Sequence, residues 1–141
     1  MMSLLLLNLA VLTDLPPGMV MAAMFVMPVI GRMSMVLVIF AFPYARPEGM
    51  GKVFAEMADR KTLLLSLLTT LIFVLPWGKM ACLALAGGLV WGWLVAYYAY
   101  RKLGGLTGDV YGATELLTET AVLCLFLFSP LIPGGLELFW K

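Results

Sequence analysis

The run MVMAAMFVMPVIGRMSMVLVIFAF, residues 19–42, carries a single charge, Arg32, and its reading decides the fold. A helix that crosses a bilayer needs about 20 predominantly apolar residues, and this stretch supplies them. The rest of the chain agrees. Its 141 residues are 63% hydrophobic and 12% charged, with a mean hydropathy of +1.03. A water-soluble domain cannot hide that much apolar surface. Further apolar runs at 62–77, 80–100 and 113–131 give the expected architecture: an all-α, polytopic membrane helix bundle of about four full spans, with a partial one at the start. The whole of residues 1–141 reads as a single membrane domain.

Composition also excludes. Nine basic against eight acidic residues leave a net charge of +1, so nothing points to a nucleic-acid partner. The chain has no histidine, which removes a His-ligated zinc site and a histidine general base. Cys82 and Cys124 lie in apolar runs without CxxC spacing and behave there as small hydrophobes. The opening MMSLLLLNLAVLT is too short to span and has no basic residue before its apolar run. It makes a poor signal peptide and looks like the second half of a helix whose first half is absent.

Pro16, Pro17 and Gly18 predict a break after that segment, and LPWGK, residues 75–79, predicts another between the two middle spans. Residues 43–61 form the one long polar loop, whose AEMADRK end suits the start or cap of a short surface helix. Arg46, Lys52, Arg60 and Lys61 fall in this loop, and Arg101 and Lys102 precede GGLTGD; only Lys79 and Lys141 fall opposite. Positive residues favour the cytoplasmic face, so the loop and GGLTGD are expected there, in a cell inner membrane. Tyr97, Tyr98 and Tyr100 suit the inner aromatic belt, and Trp77 and Trp140 the outer one.

GGLTGDVYGATELLTE, residues 104–119, is the polar exception. Read as a helix from about Gly104, it places Gly108, Gly112, Glu115 and Glu119 on one stripe, with Asp109 at its edge. Carboxylates are hard donors, and Mg²⁺ is commonly held by one or two of them together with phosphate oxygens and water. The chemistry suggested is phosphoryl transfer. Thr107 is placed to cap the helix, whose N-terminus favours an anion. Small residues also let membrane helices pack, and acids complement a helix N-terminus. Glu119 weighs against that structural reading, because an ionisable group well inside a span is expensive and usually marks a site.

Arg32 poses the same problem from the other side. It interrupts its span near the middle, beside Pro28 and Gly31, and must find an anionic partner inside the bundle. A salt bridge to Glu115 or Glu119 and a contact to a substrate phosphate both satisfy it. In the loop, PYARPEGMGKVF combines Arg46 with Glu48, Gly49, Gly51 and Lys52. That pattern suits phosphate binding, and a solvated positive loop would look much the same. The methionines of residues 19–35 read as adaptable packing rather than a metal relay.

GRMSMV, PYARPEGMGKVF and RKLGGLTGDVYGATELLTE together resemble the C-terminal half of the cobalamin synthase family, the adenosylcobinamide-GDP ribazoletransferases. The resemblance implies a Mg²⁺-dependent membrane transferase of the last stage of cobalamin assembly. It would join adenosylcobinamide-GDP to α-ribazole or its 5′-phosphate and release GMP. On this sequence Asp109, Glu115 and Glu119 would be metal ligands or a base. Arg32, Arg46 and Lys102 would hold the pyrophosphate, with Gly104, Gly105, Gly108 and Gly112 allowing close approach. Members of the family also carry an N-terminal half with an acidic, Asp-rich motif. Its absence here implies a truncated, split or alternatively started chain whose partners are the lipid bilayer and a homo-oligomer or a separately supplied N-terminal half. Two other readings compete: a relative of the CDP-alcohol phosphotransferases, disfavoured by the lack of clustered aspartates, and a non-catalytic assembly or transport subunit.

Overall fold

The computed structural model describes residues 2–46 and 48–129. Six helices account for nearly all of them: α1 (Met2–Asp14), α2 (Pro17–Ala41), α3 (Met50–Met57), α4 (Arg60–Val74), α5 (Gly78–Leu103) and α6 (Gly108–Phe128). Among the described residues there is no strand; a lone bridge pairs Tyr44 with Leu106. The breaks fall where proline and glycine demand them. Pro16 stands at the N-cap of α2 and Pro17 opens its first turn, where a missing N–H costs nothing. The 3-10 turn Leu75–Trp77 ends at Gly78, whose φ of 83° is open only to a residue without a β-carbon at little strain.

By length and apolar composition Pro17–Ala41, Arg60–Leu103 and Gly108–Phe128 suffice to cross a membrane, and α1 is a shorter apolar helix. The 44-residue middle stretch is bent back at Gly78 into two limbs. Phe73 shares a cavity with Met21, Phe25 and Pro28 and Trp77 stacks on Phe25, while Thr62 lines a groove that reaches Val36, so α4 runs antiparallel to α2. Gly88 and Gly92 of α5 meet Ile30 and Ser34, so α5 runs parallel to it. The two expected middle spans are these limbs. With 15 residues, α4 is about 22 Å long, and the 3-10 turn brings the limb close to the ~30 Å hydrocarbon thickness. The last span is described to Ser129; the end of the expected run, Trp140 and Lys141 lie outside the described residues.

α6 runs antiparallel to α2 through the middle of the bundle, pairing Thr118 with Ser34 and Ser129 with Met19. The core has two parts. One, away from the loop, gathers Val11, Leu15, Met19, Val26, Ile30, Leu123 and Phe126. The other, under the loop, gathers Val38, Ile39, Phe42, Ala96, Leu106 and Tyr111. Between them the bundle carries a band of glycines, hydroxyls and charges.

The long loop and the GGLTGD segment lie at one end of the bundle, as the charge pattern requires. Ala45 N–H donates to the Leu106 carbonyl at 2.8 Å and Leu106 N–H to that of Pro43 at 3.0 Å. Asp59 caps α4, accepting from Thr62 N–H.

Candidate functional site

The middle band is built from α2 and α6. Glu115 and Glu119, four residues apart, share a face of α6 and meet α2 at Gly31 and Arg32. Arg32 Nε donates to Glu115 Oε1 at 2.9 Å. Of the two partners that the sequence left open, Glu115 takes the direct contact. The pair is asymmetric: 69% of the Arg32 side chain remains exposed against 15% for Glu115. Glu119 lies against Gly31, where an added β-carbon would be 2.8 Å from its Cγ. The missing side chain at Gly31 is what lets both glutamates approach α2.

Beside this charged face lies a hydroxyl node. Ser34 Oγ and Thr118 Oγ1 are 3.1 Å apart and buried. Thr118 uses its own proton on the Thr114 carbonyl, which makes Ser34 the donor. α5 reaches the node through Gly92, where any β-carbon would overlap Ser34 Oγ. The sequence reading missed this junction. Its signal is the Gly88-x-x-x-Gly92 spacing in an apolar run, which lets helix backbones pack closely.

The segment before α6 differs from expectation. The helix begins at Gly108, not near Gly104. Gly104 ends α5 at φ 71°, its N–H on the Tyr100 carbonyl, a left-handed cap that favours glycine. Gly105 does not offer space to a substrate: Ala45 fills it, with the Ala45 Cα 2.7 Å from where a β-carbon would stand. Gly108 and Gly112 have open space around them, as does Gly104, but of the three only Gly108 and Gly112 lie on α6. Thr107 occupies the N-cap position, but its side chain makes no capping bond.

Asp109 is exposed in the first turn of α6. Six residues separate it from Glu115, about 9 Å along the axis and well around the helix. Among the described residues no three acidic, histidine or cysteine side chains gather as a metal site. Glu115 and Glu119 do form an adjacent carboxylate pair, a donor set that suits a hard cation whose shell is completed by phosphate and water. Lys102 ends α5 with its Nζ 4.9 Å from the centre of the Tyr98 ring.

Arg46 lines a cavity of about 410 Å³ at the loop end with Lys52, Glu56 and Tyr44. Tyr44 organises that loop, since its ring and hydroxyl lie against Gly51 and Gly49. Lys52 and Glu56 stand 3.8 Å apart on α3. Beneath, Tyr111 is buried with its ring centre 6.3 Å from that of Tyr44, and among the described residues its hydroxyl has no hydrogen-bond partner.

Residues 1–127, from α1 through the loop and the glutamate pair, match the family model described as cobalamin-5-phosphate synthase. The chain belongs to the cobalamin-5-phosphate synthase family. Its relatives carry the name adenosylcobinamide-GDP ribazoletransferase. The one from Desulforamulus reducens is 35% identical over 126 residues, 89% of this chain and 51% of that protein. The one from Pseudomonas putida strain W619 is 41% identical over 110 residues, 75% of this chain and 44% of that protein. A third, from Syntrophobacter fumaroxidans, is 37% identical over 111 residues. The chain thus spans about half the length of the curated relatives it matches. No solved structure matches it. Within the chain, the stretches that carried the sequence resemblance meet in space: GRMSMV at α2, the PYAR loop, and α6.

Proposed function

We propose that this chain supplies part of the site of a membrane adenosylcobinamide-GDP ribazoletransferase, which joins adenosylcobinamide-GDP to α-ribazole or its 5′-phosphate. The observation that carries the reading is the Arg32–Glu115–Glu119 group at the α2–α6 interface of a chain of this family. A hydroxyl of the ribazole ribose attacks the phosphorus attached to cobinamide, the bond to the GMP oxygen breaks, and GMP departs with the electron pair. The hydroxyl proton goes to a carboxylate, for which Glu119 is better placed than Glu115, because Glu115 is engaged by Arg32.

Glu119 and Glu115 would hold a Mg²⁺ ion, which would supply charge stabilisation on the phosphate oxygens; Asp109, about 9 Å from Glu115 along the helix, stands nearer the mouth and outside that pair. Arg46, on the wall of the loop-end cavity, suits the pyrophosphate, and Lys102 is exposed at that same end. Arg32 orients Glu115 first and reaches phosphate second. Gly108 and Gly112 leave the first turns of α6 open to a bulky ligand. We place the loop end in the cytoplasm of a cell with this chain in its inner membrane, on the Lys and Arg bias.

The test is Mg²⁺-dependent release of GMP from adenosylcobinamide-GDP and α-ribazole by this chain in a lipid bilayer, alone and with the remainder of a full-length relative. Release that needs the added remainder makes this chain part of a composite site. Release by the chain alone makes its own carboxylates sufficient. No release in either arm, with the fold intact, moves the reading to a non-catalytic assembly role in which Arg32 and Glu115 form a structural ion pair.

A further inference from the structure

A groove of about 510 Å³ runs between α2 and α4, on the side of α2 away from the glutamates. Its walls are Val29, Met33 and Val36 on one helix and Leu65, Thr69 and Phe73 on the other. Three hydroxyls on the α4 side are already engaged: Thr69 donates to Leu65 O at 2.7 Å, Ser66 to Leu63 O at 2.9 Å and Thr62 to Asp59 Oδ1 at 2.8 Å. Each therefore presents carbon to the groove. Arg32 is the one charged residue along it, and its Nε is held by Glu115. Apart from Arg32 and Thr70 the walls are carbon, and an empty groove forfeits dispersion contacts.

Dimensions narrow the occupant. From Val36 to Pro28 the groove follows eight residues of α2, about 12 Å, close to one leaflet of a ~30 Å hydrocarbon core. An acyl chain fits along that length, and the charge at the mouth selects its headgroup. At the mouth, beside Thr62, α4 begins with Arg60 and Lys61, both exposed. Among the described residues neither takes part in an ion pair. The neighbouring anion, Asp59, turns its carboxylate onto Thr62 N–H and hydroxyl, 2.8 Å each, so the mouth keeps a net positive charge.

We propose that this groove seats one acyl chain of an anionic phospholipid whose phosphate sits on Arg60 and Lys61. The site is separate from the loop-end cavity and does not depend on the transferase reading. The full chain, reconstituted in vesicles of phosphatidylcholine with or without phosphatidylglycerol and then extracted in mild detergent, should retain phosphatidylglycerol with about a tenfold preference, read by native mass spectrometry. The surface double variant R60Q/K61Q should lose the preference while its melting stays unchanged. Ser66→Trp, which fills the groove, should lose retained lipid of either kind, and excess inorganic phosphate should displace none. Equal retention of the two lipids, a preference that survives R60Q/K61Q, or displacement by phosphate overturns the proposal. So does disulfide cross-linking between copies through Thr69→Cys, which would put protein in the groove.

Discussion

Gly31 and Glu119 touch across the α2–α6 interface so closely that a β-carbon on the glycine would stand 2.8 Å from Glu119 Cγ and 3.1 Å from its Oε1. Gly31→Ala must therefore move the Glu119 carboxylate. Alanine also gains about 1 kcal/mol of helix propensity over glycine, which offsets part of the steric cost. The expected outcome is a melting temperature near the unaltered value with GMP release reduced at least tenfold. Equal activity in a comparably folded Gly31→Ala chain would detach Glu119 from the chemistry.

The Arg32–Glu115 contact predicts a charge-swap rescue. Removing one partner leaves the other unpaired at membrane depth, a cost on the order of 2–3 kcal/mol on insertion scales. Arg32→Gln and Glu115→Gln should each lower stability in bilayer-mimetic detergent. The exchanged pair, R32E with E115R, should recover most of it, giving a coupling above about 1 kcal/mol in a double-mutant cycle. If activity follows stability in the swap, the pair is structural; we expect activity to stay lost, because the carboxylate pair of α6 is broken.

Much of this was legible in the sequence because bilayers enforce simple rules. Apolar length and proline or glycine breaks located α2, the bend at Gly78 and α6, and the isolated charge at Arg32 demanded a partner. Two features were hidden. Gly104 and Gly105 have the same side chain as Gly108, so a pattern of spacing could not separate a left-handed cap and a packed loop residue from open helix. The junction of Ser34, Gly92 and Thr118 joins residues far apart in the chain, and only the Gly88–Gly92 spacing hinted at it. The same limit applies to Asp109, whose separation from the glutamates depends on where α6 starts.

That junction predicts a packing lesion. Gly92→Ala would drive a methyl into Ser34 Oγ and Thr118 Oγ1, where side chains are buried and the backbone of α5 must retreat. Overpacking of this kind costs about 1–3 kcal/mol. Thermal unfolding should register it, and Ser34→Gly placed alongside should restore part of the loss. A Gly92→Ala chain as stable as the original would mean that α5 packs elsewhere.

Asp59 predicts a pH effect confined to the start of α4. The Thr62 backbone N–H, and then the Thr62 hydroxyl, hold its carboxyl below the ordinary value of 3.8. A carboxyl lowered by folding adds stability that is fully present above about pH 4 and is lost as pH falls through the folded-state value. Amide protection at Thr62 and Leu63, taken relative to the intrinsic exchange rate at each pH, should therefore fall on acidification into that range. Asp59→Asn keeps a capping oxygen, so its protection should be flat over the same range. A pH response that persists in Asp59→Asn would assign it to another group.

Tyr44 ties the loop to the bundle, with its ring against Gly51, its hydroxyl against Gly49 and its backbone bridged to Leu106. Because Arg46 follows two residues later on the cavity wall, Tyr44 positions the proposed pyrophosphate ligand without touching it. Tyr44→Ala should raise KM for adenosylcobinamide-GDP several-fold and change kcat little, since the carboxylates of α6 lie deeper. Tyr44→Phe keeps the ring against Gly51 and should recover most of the affinity. A loss in kcat alone would place Tyr44 at the reacting centre, and no change in either constant would free Arg46 from the pyrophosphate role.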